Sequence, residues 1–107
     1  MLTVIIRYKG KDNNAKKFVE EMISSGLVNE IRKEEGNLRY EYFLPLDDQE
    51  TVLLIDSWES QEALDIHHAS PQMSKIAKLR NEYNLHMEVE RFTKIENNQD
   101  DLKFIRK

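Results

Sequence analysis

Three histidines and a small set of aromatic side chains are the groups of this sequence best suited to chemistry, and their spacing narrows what that chemistry is. His67 and His68 are adjacent in a segment with helical periodicity, and His86 lies on a later strand-like run. Neighbouring residues on a helix diverge by about 100°, so the pair cannot converge on one ion. Glu59 and Glu62 are close in sequence, but no His-x-x-x-His or Glu-x-x-His spacing occurs, and no metal site is expected. His67 suits a different task. At a pocket between helix and sheet it would act as base or proton donor, its ordinary pKa of about 6.5 needing little tuning. The alternative is a half-buried, hydrogen-bonded structural histidine, with His68 solvated. Tyr40, Tyr42 and Trp58 fall on two adjacent strand-like segments and would supply an aromatic wall with polar tips for a substrate; simple core filling is the other reading of each. The nucleophile inventory is empty, with no cysteine and no Gly-x-Ser-x-Gly elbow. No glycine-rich loop follows a strand, so nucleotide cofactors have no evident cradle. Glu20-Glu21 and Asp47-Asp48 read as solvated faces and turns.

These groups need elements to hold them. Leu2 to Tyr8 is a short β-branched apolar run, a buried strand. After Gly10, any of Asp12, Asn13 or Asn14 can cap a helix. Ala15, Phe18, Val19, Met22, Ile23, Leu27 and Ile31 share one stripe, which predicts a long helix from about Asn13 to Glu35, weakened at Ser24-Ser25-Gly26 and closed by Gly36. Asn37 to Leu44 alternates, with Leu38, Tyr40, Tyr42 and Leu44 on one face. Thr51 to Trp58 is a second strand with an apolar centre. Ser60 caps one helix and Ser70-Pro71 opens another, running to about Glu82. Asn84 to Ile95 is the last strand.

The order β-α-β-β-α-β predicts an α+β, ferredoxin-like fold with an antiparallel sheet, strands one and three central. The 107 residues allow one domain, expected over 1–95, followed by a polar tail, 96–107, whose Leu102, Phe104 and Ile105 would dock on a partner subunit. Val4, Ile6, Val52 and Leu54 point one way, and Ile5, Leu53 and Ile55 the other. Two helical segments cover only one face of such a sheet, so the second apolar face calls for a homodimer. The 20 acidic against 16 basic residues, a formal charge of -4, argue against a nucleic-acid partner. That balance still permits a locally positive pocket for an anionic small ligand. No apolar run has membrane-spanning length, and without cysteine the chain reads as cytoplasmic.

A family resemblance adds to this reading. Glu34-Glu35-Gly36-x-x-x-Tyr40, followed by Asp56-x-Trp58-Glu59-Ser60-x-Glu62-Ala63-Leu64-x-x-His67-x-x-Ser70-Pro71-x-Met73, resembles the signature of the antibiotic biosynthesis monooxygenase family. The similarity implies a dimeric α+β barrel, each protomer with its own pocket between sheet and helices. His67 matches the family histidine, and Trp58 and Tyr40 match its aromatic positions. It further implies oxygenation without metal, flavin or other cofactor, of a small phenolic or quinol-like substrate by O2. The alternatives it leaves are an isomerase or related acid/base catalyst on a small oxygenated metabolite, and a non-catalytic ligand-binding dimer. Two positions depart from the pattern: Asp56 stands where relatives usually carry Glu, and Gln72 where many carry a second histidine. The haem-degrading branch needs an axial histidine further along, and Ile76, Ala77, Lys78 and Leu79 offer none.

Overall fold

The two most apolar segments, β1 (Leu2–Lys9) and β3 (Thr51–Trp58), pair antiparallel at the centre of a four-stranded sheet. A computed structural model describes residues 1–107. The edges are β2 (Asn37–Phe43), beside β3, and β4 (His86–Thr93), beside β1, all antiparallel in the order β2-β3-β1-β4. This is the predicted ferredoxin-like arrangement. It puts the most apolar runs, Val4-Ile5-Ile6 and Val52-Leu53-Leu54-Ile55, in the middle, where both edges of each backbone are paired.

The predicted long first helix is two: α1 (Asn14–Ser24) and α2 (Leu27–Arg32). Gly26, at φ +84°, turns the chain left-handed between them, a conformation that costs glycine nothing. The break re-aims the stripe, so that Phe18 and Met22 from α1 and Val28 and Ile31 from α2 all enter one core. The expected side-chain cap at Asp12, Asn13 or Asn14 does not form. Asp12 and Asn13 take positive φ instead, and the Asn13 N–H donates to the Glu50 carboxylate, 3.2 Å away. The later helices, α3 (Gln61–His68) and α4 (Pro71–Glu82), are capped as expected: Ser60 Oγ accepts from Ala63 N–H and Ser70 Oγ from Met73 N–H. In β2 a register shift between Asn37 and Arg39 takes Leu38 out of line with Tyr40, and the strand stops at Phe43, leaving Leu38 and Leu44 exposed.

The helices lie on the face carrying Val4, Ile6, Tyr8, Val52, Leu54 and Trp58. The other face presents Ile5, Leu53 and Ile55 at its centre, half-buried by their neighbours alone, with Phe43 and Phe92 exposed at its margins. The tail does not cover it. A short turn of helix, α5 (Gln99–Leu102), interrupts the tail, and Phe104 stays 79% exposed. The radius of gyration, 15.4 Å, exceeds the roughly 13 Å of a compact chain this long, as a projecting segment requires. No helix is long and apolar enough to cross a membrane.

Candidate active site

The cavity between sheet and helices is assembled by register. Across the helix-facing side of the sheet, Tyr40 pairs with Asp56, Asp56 with Val4 and Val4 with Arg91, so these four side chains form one row from β2 to β4. The next row inward is Tyr42, Leu54, Ile6 and Val89. Helix α3 contributes Leu64, His67 and His68 above this floor, and α4 contributes Met73, Ile76 and Arg80. They enclose about 240 Å³, with nine of the fourteen lining residues apolar. That is below the roughly 300–1,000 Å³ of sites for drug-sized ligands and fits a single substituted ring. The cavity opens over β4, an edge strand exposed along its whole length.

His67 is held from two sides. Its ring stacks on Trp58 with centroids 4.7 Å apart, and its Nδ1–H donates to the Glu34 carboxylate at 2.9 Å. A carboxylate only accepts, so this bond fixes the proton on Nδ1 and leaves Nε2, which makes no hydrogen bond, as the basic atom. Burial pushes the His67 pKa below its ordinary 6.5; Glu34 opposes the shift, and His68 and Arg80 add to it. His67 is therefore neutral at pH 7, the state a base requires.

Glu34 reaches His67 because of Gly36. That glycine, at φ +85°, packs so closely on α3 that an added Cβ would lie 2.6 Å from Ala63 Cβ. Its carbonyl accepts from Glu59 N–H at 2.8 Å. The Glu34-Glu35-Gly36 turn is thus docked on the start of α3, with Glu34 one turn along from the contact.

Of the four residues expected at the site, His67 and Tyr40 line the cavity. Trp58 and Tyr42 do not. Trp58 is fully buried behind the His67 ring, filling core and setting the ring plane. Tyr42 lies one row further in, its hydroxyl 3.2 Å from that of Tyr40. Burial raises both phenol pKa values, so both hydroxyls keep their protons. His68, expected to face solvent, is exposed but also borders the cavity, its ring 5.9 Å from that of His67.

Three further cavity groups lie beyond those the sequence assigns to the site; of them the sequence singles out Asp56 only as a departure from the family pattern. Asp56 is only 5% exposed, and its Oδ1 is buried with no hydrogen-bond partner, as is Trp58 Nε1. Burial pushes its carboxyl up to about 7; Trp58 and Arg80 restrain the rise and Glu34 adds to it. Arg80 donates through Nε and Nη2 to Tyr8 Oη, at 3.1 and 2.7 Å. Arg91 donates to Gln61 Oε1 at the start of α3, across the cavity mouth. The signal for Asp56 was a lone acid in step with Leu54 and Trp58 on an apolar strand. Arg80, four residues after Ile76, is likewise charged on a buried stripe. No cluster of three or more His, Asp or Glu is placed to hold a metal ion.

Comparison with known proteins agrees with this architecture. No curated protein matches in sequence. Among solved structures, a Deinococcus radiodurans protein with a provisional assignment as an antibiotic biosynthesis monooxygenase superimposes with a TM-score of 0.78 at 16% identity, over 92% of this chain and 97% of that one. A conserved protein from Methanosarcina mazei gives 0.75 at 23% identity, over 88% and 92%. SnoaB, a cofactor-independent oxygenase from Streptomyces nogalater, gives 0.74 at 17% identity, over 92% and 96%. These likenesses concern the fold. The family model for antibiotic biosynthesis monooxygenase matches residues 1–79, spanning β1 through most of α4 and every element that carries His67, Glu34 and Asp56, and the chain belongs to that family.

Proposed function

We propose that this protein is a cofactor-independent monooxygenase of a small, single-ring phenolic or quinol-like compound, working as a homodimer. The observation that carries the reading is the His67 ring, oriented by Glu34 and Trp58, neutral, with Nε2 free at an apolar cavity.

The chemistry follows from the substrate's own electrons. His67 Nε2 takes the hydroxyl proton, and the phenolate is a far better electron donor than the phenol. One electron passes to O2, and the superoxide and phenoxyl radicals join in a carbon–oxygen bond on the ring. His67 returns its proton to the outer peroxide oxygen. The O–O bond then breaks as the ring carbon gives its proton to His67 Nε2 and becomes a carbonyl, and the outer oxygen leaves as hydroxide, which takes that proton from His67 to become water. For a hydroquinone the balance is one quinol and one O2 to one hydroxyquinone and one water, all four electrons coming from the substrate. The apolar walls exclude water from the charged intermediates.

Two-fold pairing through Ile5, Leu53 and Ile55 would bury the open sheet face. Residues 1–95 would then act as the domain, with the tail's Leu102, Phe104 and Ile105 docking on the partner. A second reading has its own observation: Asp56 gives the cavity another acid–base group, which an isomerase moving a proton between two carbons would use.

Oxygen uptake with a panel of quinols, with 18O2 to follow the label into product, tests the proposal. Uptake with one label per product, lowered about 100-fold to 10,000-fold by His67→Gln, supports it. Proton exchange into a dione or lactone without oxygen uptake would transfer the assignment to the isomerase reading.

A further inference from the structure

Two cavity guanidiniums stand out in a chain with an acidic surplus. The fold forms four ion pairs, through Lys9, Arg39, His67 and Lys94. Arg80 and Arg91, like most of the basic side chains, take part in none of them, but these two line the cavity. Each is positioned by a neutral partner instead, Arg80 by the Tyr8 hydroxyl and Arg91 by the Gln61 amide. These bonds aim the guanidiniums without neutralising them. Two strands along the same sheet row from Arg91, beyond Val4, sits Asp56, nine-tenths buried and with Oδ1 unpaired. Arg91 and Asp56 are two strands apart, roughly 10 Å between backbones at about 4.8 Å per strand. One disubstituted ring with a hydrogen bond at each end fills that span.

We infer that the substrate carries an acidic group as well as its reactive hydroxyl, its anion held by Arg91 at the β4 end and its hydroxyl at Asp56 and His67. The class is a hydroxylated aromatic acid. This rests on the oxygenase reading for its choice of an aromatic ring, but the charge argument stands on Arg91 alone. An anion entering over β4 meets Arg91 first, at the exposed mouth, and its apolar ring then lies over Val4 and Val89. A neutral quinol of the same size would leave the Arg91 guanidinium at the cavity mouth without an anionic partner.

Anaerobic calorimetric titration with 2,5-dihydroxybenzoate and with hydroquinone, which share their hydroxyls and differ by the carboxylate, tests this. The wild-type protein should bind the acid about tenfold to a hundredfold more tightly. The ratio should fall to within about threefold in Arg91→Gln and be largely retained in Arg91→Lys, and added salt should narrow it. Equal affinities, tighter binding of hydroquinone, or a preference unchanged in Arg91→Gln would each overturn the inference. Oxygen uptake separates the two claims. Turnover of hydroquinone with no preference for the acid removes this inference and leaves the oxygenase reading standing. An Arg91-dependent preference without oxygen uptake from either compound does the reverse.

Discussion

Replacing Asp56 by asparagine should stabilise the protein, and by more as the pH rises. Asp56 lies in the cavity floor with an unpaired oxygen, and burial lifts its pKa to about 7 from the ordinary 3.8. Between those values the folded chain binds more protons than the unfolded one, so stability is fully present below about pH 4 and is lost as the pH climbs through 7. Each pH unit inside the window costs at most about 1.4 kcal/mol. At pH 5 only the first part of the loss has occurred; by pH 8 it is complete. The difference between variant and wild type should therefore grow by about 3 kcal/mol from pH 5 to pH 8. An amide of the same shape carries no charge to desolvate, and every other titrating group cancels in the comparison. Urea unfolding of both proteins at half-unit pH intervals measures it. In melting temperature each kcal/mol corresponds to about 4–8 °C for a domain of this size. A difference independent of pH, or a variant less stable than wild type at pH 8, would refute the reasoning. Arg80 would then be holding Asp56 as a stabilised carboxylate.

Other predictions concern the scaffold and the base. Gly36→Ala should cost about 2–5 kcal/mol, combining a left-handed backbone with the clash at Ala63, whereas Gly26→Ala, at nearly the same φ but with open space around it, should cost about 1–2 kcal/mol; thermal melts of the two compare them directly. Light scattering should find wild-type dimers and monomeric or insoluble Ile55→Asp, because that change puts a charge at the centre of the open apolar face; a wild-type monomer at micromolar concentration would remove the dimer proposal. Turnover should rise with pH along a limb that His67→Gln abolishes, lying below pH 6.5 because burial disfavours the imidazolium. Glu34→Gln removes the group that holds this pKa up, so it should move the limb to lower pH while reducing the maximal rate.

Strand order and the caps of α3 and α4 were legible in the sequence because both are marked locally. Val4-Ile5-Ile6 and Val52-Leu53-Leu54-Ile55 lack charges, and only central strands tolerate that. Ser60 and Ser70-Pro71 cap their helices with side chains that need nothing beyond the next turn. Periodicity also marked two apolar sheet faces. It could not assign the helices to one of them, since a period of two looks the same from either side. The single long first helix failed for a related reason: Ser24-Ser25-Gly26 marks a weak point in the sequence, but the apolar stripe continues across it, and the full left-handed break at Gly26 is set by packing.

The site divides along the same line. His67 was identifiable from its place in the family motif, since helical phase alone admits His68 as well. What fixes its proton on Nδ1 came from elsewhere, from Glu34, thirty-three residues earlier, brought into contact by the docking of Gly36 on Ala63. Trp58 and Tyr42 have the composition of a binding wall, yet one is screened by the ring it supports and the other lies a row too deep. Asp56 and Arg91 share a row only because β1 stands between their strands. Sequence determines which side chains exist and which face of its own element each one takes. Register, crossover and the docking of turns determine which of them meet, and in this chain those long-range pairings decide which side chains line the cavity and how His67 is oriented within it.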